Sequence, residues 1–323
     1  MAELQFGFIG LGNHAQENLL PALALTPGIR LQGLQSRDAG RLHDVAEAYR
    51  VPERVHSEHS GELLSKPYQG FVVSATPAVH EQLLAQALEQ AKNIYVEKPP
   101  ATDLKALQRI VAAAENSPSI LQFGFNFRFS DFYQQIVQNF AQNDRLTYMK
   151  IRSAAAKPLA PMWHCSSVLT SALFAVHIHA IEMLCYTMGK LEGFTYTVAP
   201  VNAQQSQLIV TARFAGGRVG VLELSNTSNR FEFDVECIDK QSNVLRCTDF
   251  NHCEWSGPAY RLNSLPAKHR AVYDIPFLRG GYDRTGYSRA FTAFRDAIIT
   301  GQQDQRALTS CIDTYKIIEG IHQ

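Results

Sequence analysis

A lysine with a constrained setting lies in the stretch IYVEKPPATD, residues 94–103. The apolar run before it is typical of a buried strand, and Pro99 and Pro100 prevent that strand from continuing. A proline also restricts the preceding residue to extended or turn conformations, so Lys98 would be held on a stiff turn. An ammonium held there can polarise a substrate oxygen, and burial or a nearby cation readily lowers its pKa. The stretch predicts a reactive lysine, with a solvated pair of Glu97 and Lys98 as the alternative.

A glycine-rich turn, GLGNHA, begins at Gly10, directly after the first apolar run and at the start of a helical pattern. Gly10 permits a tight turn, Gly12 lets the backbone approach a pyrophosphate, and the small Ala15 lets the helix pack on the strand. The first amides of the helix, near Asn13 and His14, would then face the phosphates. The turn predicts dinucleotide binding, and the alternative is a glycine turn with a purely structural role.

The residues after the second apolar run bear on which dinucleotide binds. The chain reads LQSRDAGR there, so Ser36 and Arg37 stand where an acidic residue would favour the ribose 2′-hydroxyl of NAD. Arginine presents a planar fork of donors to phosphate, serine adds a hydroxyl, and Arg41 follows one helical turn later. We therefore predict NADP(H) in preference to NAD(H). Asp38 is the main argument against it, and the alternative is that Ser36 caps the helix and Arg37 is solvated.

A third segment, SATPAVH at residues 74–80, ends the fourth apolar run. Because carboxyl ends of parallel strands meet at the edge where open α/β sheets bind ligands, we expect it to join the glycine and lysine turns. Its proline fits the first turn of a helix, where a missing amide has no consequence. The residues expected at the cofactor in these two segments are Ala75, Thr76, Pro77, His80, Glu97 and Lys98.

Alternating apolar runs and helical patterns must position these turns. The predicted strands are Phe6–Ile9, Leu31–Gln35, Gly70–Ser74, Asn93–Val96 and Ile120–Gly124. The predicted helices are Ala15–Leu25, Arg41–Tyr49, Ala78–Ala91 and Leu104–Glu115. This rhythm predicts an α/β fold with a doubly wound parallel sheet, and residues 1–122 as a dinucleotide-binding domain.

The remainder, residues 123–323, clusters its strands and predicts an α+β domain with an open, mostly antiparallel sheet. It begins with FGFNFRF, which alternates strictly and predicts a strand with Asn126 and Arg128 on one face. These two side chains would bind substrate, or they would tie the two domains together. One long helix is predicted over Leu173–Met188, and two C-terminal helices could pack on either domain.

The motifs GFIGLGNHA, TPAVH, EKP and GFNFRF, in this order, resemble the glucose–fructose oxidoreductase and inositol dehydrogenase family, also called Gfo/Idh/MocA. The order and spacing of the motifs match over the first 130 residues, and the remainder agrees in architecture more than in motif. It implies a Rossmann domain that binds NAD(P) and places Lys98 beside the substrate carbon that exchanges hydride. It also implies a cis peptide bond before Pro99.

The family also carries acidic and histidine residues on a helix of the second domain, and LFAVHIHAIEMLCYTMG resembles that motif. His179 matches the histidine and Glu182 the second acid, while Ala175 stands where the first Asp would be. His179 and Glu182 share a helical face, so the carboxylate could orient an imidazole that donates a proton to a nascent alkoxide. Loss of the Asp would leave His179 a weaker base, which favours reduction.

Two further residues carry open alternatives. On an ideal helix His177 points away from His179, so it is either a substrate residue or a satisfied core histidine. A third ligand to join the two histidines is not evident, so we predict no metal site. Trp163, in PMWHCSS, would stack on a flat substrate or pack under its own loop.

Composition excludes several classes of partner. Lys plus Arg and Asp plus Glu both number 30, so we expect neither nucleic acid nor membrane as a partner. We expect no apolar run of the ~18–20 residues needed to span a bilayer, no secretory signal is evident, and six cysteines lack a CxxC pair. These features predict a cytoplasmic protein with reduced thiols.

The predicted function is NADP(H)-dependent transfer of hydride between nicotinamide and a carbonyl or alcohol carbon of a sugar, keto-sugar or cyclitol, with Lys98 and His179 as catalytic residues. The alternatives are an imine reductase of secondary metabolism and a non-catalytic NADP-binding regulator. A regulator has no need of Lys98 or His179. We expect a homodimer or homotetramer formed through the second-domain sheet.

Overall fold

The computed structural model describes residues 3–59, 61–140, 145–163, 165–257, 270–274 and 284–321. Backbone contacts divide the chain into two units. The first comprises Met1–Asn126 and Gly286–Leu308, and the second Phe127–Thr285 and Thr309–Gln323. The first unit therefore extends past residue 122, where we predicted its end, and it includes one C-terminal helix.

The first unit is built on a six-stranded sheet in the order β3-β2-β1-β4-β5-β6, and every neighbouring pair is parallel. Its strands are β1 Leu4–Ile9, β2 Ile29–Ser36, β3 Glu53–His56, β4 Gly70–Val73, β5 Ile94–Glu97 and β6 Leu121–Gly124. The order reverses between β1 and β4, which is the switch point where such sheets bind ligands. The predicted doubly wound parallel sheet is confirmed.

The α-helices follow the chain through both units. They are α1 Leu20–Ala24, α2 Ala39–Tyr49, α3 Pro77–Glu89, α4 Leu104–Glu115, α5 Asp131–Asn139, α6 Val168–Ala172, α7 Ile178–Met188, α8 Tyr287–Thr300 and α9 Gln305–Gly320. Short 3₁₀ turns occur at Glu62–Ser65 and Asn126–Phe129, and π-helical turns at Ala15–Leu19 and Leu173–His177. The two predicted helices at these positions therefore each contain a π-helical turn.

Helix α8 completes the core of the first unit, although it lies far along the chain. It begins after Gly286, whose φ of 94° is readily adopted only by glycine. Phe294 packs edge-on against Phe6 of β1 with ring centroids 5.6 Å apart, and Phe291 lies 4.9 Å from Tyr95 of β5. Aromatic burial of this size fixes the helix on the sheet.

The segment FGFNFRF differs from its prediction. Strand β6 ends at Gly124 and the 3₁₀ turn Asn126–Phe129 follows, so the predicted strand over this segment is wrong. Its phenylalanines lie in two places and not on one strand face, and Phe127 and Phe129 are only half-buried. Phe123 contacts Phe125, whereas Phe127 packs 4.6 Å from Phe250 within the second unit.

The second unit carries an eight-stranded sheet in the order β14-β13-β12-β11-β7-β10-β9-β8. Its strands are β7 Leu146–Ala154, β8 Leu191–Pro200, β9 Ser206–Phe214, β10 Arg218–Ser225, β11 Glu232–Asp239, β12 Val244–Thr248, β13 His252–Ser256 and β14 Arg270–Asp274. Only the β7–β10 pair is parallel among these described strands. The predicted mostly antiparallel sheet is confirmed.

One continuous helical segment, Val168–Met188, is long and apolar enough by length and composition to cross a membrane. This corrects the prediction that no such run exists. The most apolar window is 78% buried within the protein, and Leu184 of α7 lies against Gly220 of β10. Because it is mostly buried, the segment is a core helix of the second unit. Buried helices of globular domains pass the same test of length and composition.

Candidate functional site

A cleft of about 430 Å³ opens at the carboxyl ends of β1, β2 and β4 in the first unit. It brings together three segments that are far apart in the sequence: the glycine turn, the end of β2 and the loop after β4. The predicted residues that line it are Gly10, Gly12, Asn13, His14, Ser36, Arg37, Arg41, Ala75 and Thr76. Gln35, Asp38, Ser57 and Val79 also line it, and none of them was predicted.

The two glycines of the turn have different roles. Gly10 has φ +91°, its amide donates to the Gln35 carbonyl at 3.0 Å, and a Cβ there would lie 2.1 Å from the Ser74 carbonyl oxygen. Only glycine fits such an approach. At Gly12 a Cβ would meet no described atom within 4 Å, so the backbone is open to a ligand. Ala15 is fully buried and lets the helix pack closely. This cradle fits a pyrophosphate.

The end of β2 resolves one of the alternatives raised by the sequence. Asp38, and not Ser36, is the N-cap of α2: its side chain accepts from the Arg41 amide at 2.9 Å. The Asp38 amide in turn donates to Ser36 Oγ at 3.1 Å. Arg37 is exposed, and its carbonyl accepts from His56 Nε2 at 3.0 Å. The carboxylate that argued against NADP is therefore engaged by the helix, and the Arg37 guanidinium is available on the cleft.

The lysine turn follows β5 as predicted, and the Lys98–Pro99 peptide bond is cis. Glu97 is 3% exposed, so the alternative of a solvated Glu-Lys pair is wrong. Its carboxylate accepts from the Tyr95 hydroxyl at 3.4 Å and from the Lys98 amide at 3.3 Å. The same carboxylate lies 3.5 Å from His14 Nε2. Glu97 thus joins the lysine turn to the glycine turn.

Tyr287 is a member of this cluster that the sequence did not reveal. It is the first residue of α8, and its hydroxyl lies 3.5 Å from His14 Nε2. Burial, and then the nearby Glu97 carboxylate, raise the pKa of this phenol, while a hydrogen bond with Asn126 acts in the opposite direction. The tyrosine is therefore neutral at physiological pH. No local pattern marks it, because its partner His14 lies 273 positions earlier in the chain.

Five predicted cofactor residues do not line the cleft: Ala15, Pro77, His80, Glu97 and Lys98. Pro77 and His80 are buried, Glu97 is buried as described, and Ala15 packs against the strand. His80 was expected to touch the cofactor. Its ring nitrogens are instead hydrogen-bonded to Ala75 and Pro99 of the protein backbone. Lys98 itself is half-buried at the end of β5.

In the second unit, the Glu182 carboxylate contacts Arg128 and Ser310, and its pairing with His179 stays a prediction. The Glu182 carboxylate is fully buried, lies 3.0 Å from Arg128 Nε and accepts from Ser310 Oγ at 3.1 Å. The Arg128 guanidinium also lies 4.1 Å over the Tyr186 ring. Both were predicted as substrate residues; this buried pairing argues against that role, and because it lies within the second unit it does not tie the two domains together. His179 stacks on Phe127 with ring centroids 4.1 Å apart.

Asn126 contacts its own unit, so it does not show the tie between the two domains that the sequence left open. It is 1% exposed, and its side chain is hydrogen-bonded to Tyr287 within the first unit. A substrate residue needs an accessible polar atom, which burial of this degree does not provide. The residue therefore fixes the start of α8.

His177 is a satisfied core histidine. It is 1% exposed, its Nδ1 lies 3.0 Å from Ser153 Oγ of β7, and burial lowers its pKa to about 3. It is therefore neutral and inaccessible to a substrate. Within the described parts of the chain, His, Cys, Asp and Glu side chains form no group of three that could hold a metal ion.

Trp163 lies in the loop before α6 with φ +50°, a left-handed conformation that is uncommon for a bulky residue. The loop is held by the Met162 amide, which donates to Ser171 Oγ at 2.8 Å, and by the Cys165 amide, which donates to the Met162 carbonyl. Leu159 and Met162 are exposed. The loop presents apolar side chains to its surroundings, and the stacking role of Trp163 stays a prediction.

Comparison with known proteins agrees with the fold and the cleft. Residues 4–125 match a family described as an oxidoreductase family with an NAD-binding Rossmann fold. A putative oxidoreductase, YceM, of Salmonella typhimurium is 31% identical over 49% of this chain and 50% of its own length. The inositol 2-dehydrogenase of Ralstonia nicotianae is 24% identical over 92% of this chain and 87% of its own length. The chain thus spans half the length of the first relative and most of the second.

A solved structure gives the same result for the whole chain. The dehydrogenase from Chromobacterium violaceum superimposes with a TM-score of 0.92 and 25% identity, covering 100% of this chain and 95% of that one. Both units therefore have the architecture of a known dehydrogenase.

Proposed function

We propose that the chain is an oxidoreductase of the Gfo/Idh/MocA family and that it reduces a carbonyl of a sugar, keto-sugar or cyclitol with NADPH. The observation that carries the proposal is the edge of the first sheet, where the glycine turn and the Lys98 turn meet through the contact between Glu97 and His14. A purely structural glycine turn would not require a buried carboxylate that links it to a lysine.

The residues of the cleft fit the parts of a dinucleotide. The amides at the glycine turn would hold the pyrophosphate, and Ser36 and Arg37 would hold a 2′-phosphate. Bound NADPH would supply the hydride. Lys98 would donate a hydrogen bond to the substrate oxygen and stabilise its developing negative charge. His179, which matches the histidine of the family motif, is the proposed proton donor.

The contacts of the Asp38 carboxylate with α2 support the preference for NADPH. That carboxylate caps α2 and lies 3.9 Å from Arg41 Nε, so its charge is partly compensated. Titration calorimetry with NADPH and NADH tests this directly. We expect NADPH to bind at least about tenfold more tightly, the value of one charge-assisted hydrogen bond to phosphate. Equal affinity for the two would overturn the preference.

The reaction itself is tested with a panel of sugars, keto-sugars, cyclitols and imines, followed by the loss of NADPH absorbance. Turnover of a carbonyl compound supports the proposal. Turnover of imines alone would assign the reaction to C=N bonds, and NADPH binding without any turnover would favour a regulator.

We also propose that two copies associate through the outer face of the second sheet. Ile209 is 52% exposed there, beside Glu223 on β10, and Glu223 lies 3.2 Å from Lys150. An apolar residue among opposite charges suits a two-fold interface, because each copy presents the same pattern to the other. Sedimentation velocity should show that Ile209→Asp dissociates the assembly, and a monomeric unmodified protein would contradict the proposal.

A further inference from the structure

His80 is a fully buried histidine of α3 whose ring lies between two parts of the proposed site. Its Nε2 is 2.9 Å from the Ala75 amide nitrogen, and its Nδ1 is 2.9 Å from the Pro99 carbonyl oxygen. Ala75 lines the dinucleotide cleft, and Pro99 directly follows Lys98. We infer that His80 is a positioning residue, fixed in one neutral tautomer. It fixes the position of the loop after β4 relative to the lysine turn.

The two hydrogen bonds determine where the proton lies. A backbone amide can only donate, so Nε2 must carry the lone pair that accepts from Ala75. A carbonyl can only accept, so Nδ1 must carry the hydrogen that it donates to Pro99. A protonated ring would direct a second N–H at the Ala75 amide and lose that bond. Of the two neutral tautomers, only the one protonated at Nδ1 satisfies both contacts.

The surroundings of the ring also favour the neutral form. Burial lowers the pKa of His80, while the Pro99 carbonyl and the charge of Glu97 act in the opposite direction, and burial is the largest of the three. The backbone beneath the ring is fixed as well, because the His80 amide donates to the Thr76 carbonyl at 2.9 Å in the first turn of α3. A rigid helix thus carries a ring whose two ends hold different segments.

This arrangement assigns a different consequence to each bond. The bond to Ala75 fixes a residue that lines the cleft, so it would govern the affinity for the dinucleotide. The bond to Pro99 fixes the peptide that follows Lys98, so it would govern the placement of the ammonium and hence kcat. The kinetic part of this inference rests on the proposed function, and the tautomer does not.

Two substitutions separate the bonds. In His80→Asn the amide nitrogen stands near the position of Nδ1 and can still donate to Pro99, but nothing reaches Ala75. In His80→Gln the amide oxygen extends to the position of Nε2 and can still accept from Ala75, while the donor at Nδ1 is gone. His43→Gln, at an exposed histidine of α2, is the matched control.

We expect His80→Gln to keep the dissociation constant for NADPH within about threefold and to lower kcat about tenfold, as for one lost buried hydrogen bond. We expect the reverse for His80→Asn, a dissociation constant raised about tenfold with kcat largely retained. His43→Gln should change neither. Parallel changes of both constants in both variants, or no change in either, would overturn the positioning role.

The tautomer is tested on the unaltered protein, which covers the case in which neither variant folds. In ¹⁵N-labelled protein, the His80 imidazole should show a protonated Nδ1 and an unprotonated Nε2, unchanged from about pH 8 to about pH 6. A proton on Nε2, or an imidazolium in this range, would overturn the inference. Correct tautomer signals with no NADPH binding would instead reject the proposed function alone.

Discussion

The dinucleotide cleft of the first unit and the α7 region of the second unit both contain histidines, carboxylates and arginines, yet they use them differently. In the cleft, the polar groups Ser36, Arg37 and His14 line open space. In the α7 region, Glu182 is fully buried and paired with Arg128. A polar motif in a sequence can therefore indicate either a ligand site or a compensated core, and the partners decide between them.

The largest effect is expected on kcat when Lys98 of the first unit is replaced. Lys98→Met removes the donor that stabilises negative charge on the substrate oxygen, so kcat should fall about a thousandfold. The affinity for NADPH should stay within about threefold, because the cleft residues are unchanged. Lys105→Met, at an exposed lysine of α4, is the control and should have no effect. Unchanged turnover in Lys98→Met would remove this lysine from the chemistry.

The second largest effect concerns the core pair of the second unit. Arg128→Met leaves the buried Glu182 carboxylate without its cation, so the free energy of unfolding should fall by about 3–5 kcal/mol. The double variant Arg128→Met with Glu182→Gln should recover part of the loss, since the isolated charge is then removed. Urea denaturation measures both.

The control for that pair is the exposed one between Arg54 and Glu47. Removing its cation in Arg54→Met should lower the free energy of unfolding by less than about 1 kcal/mol. If Arg128→Met proved no more destabilising than Arg54→Met, the pairing of Arg128 with Glu182 would not stabilise the second unit. Both residues would then again be candidates for substrate binding.

The third effect is the pH dependence that His177 imposes. Its folded pKa is lowered to about 3, so below pH 6.5 the unfolded chain binds a proton that the folded chain does not. Stability contributed by this residue is therefore present at neutral pH and declines as the pH falls from the unfolded pKa towards the folded one. Between about pH 7 and pH 5, the free energy of unfolding of His177→Asn should fall by about 2 kcal/mol less than that of the unmodified protein. The asparagine can still bond Ser153.

Thermal or urea denaturation at the two pH values checks that difference. Other histidines, including His80, contribute equally to both proteins and cancel in the comparison. Identical pH dependence in the two would show that His177 is charged or exposed in the folded protein, contrary to its contact with Ser153.

The smallest effect is expected at the cleft itself. Arg37→Ala should weaken NADPH binding about tenfold and leave NADH binding unchanged, because only NADPH carries the 2′-phosphate. Arg50→Ala, at the end of α2, is the control. Equal losses for both dinucleotides would place Arg37 elsewhere than at the 2′-phosphate.

The parts of the molecule that could be predicted from the sequence are those that local backbone chemistry determines. The glycine turn, the proline-locked end of β5 and the alternating strands and helices each follow from a few adjacent residues. Gly10 is an example, because the φ of +91° and the close approach of the Ser74 carbonyl require glycine in any chain of this topology.

The parts that could not be predicted depend on partners distant in the sequence. Glu182 and Ser310 lie 128 positions apart, and His14 and Tyr287 lie 273 apart, so helical spacing alone could not reveal these contacts. The strand predicted over FGFNFRF was wrong for the same reason. Phe127 packs with Phe250 of a later turn, and that packing overrides the local alternation.

A crystal structure with bound NADP⁺ would locate both the dinucleotide and the Lys98 ammonium. We expect the pyrophosphate on the glycine turn and the ammonium facing the side of the nicotinamide ring from which C4 exchanges hydride. An ammonium directed into solvent away from that ring, or a dinucleotide bound outside the cleft, would contradict this expectation.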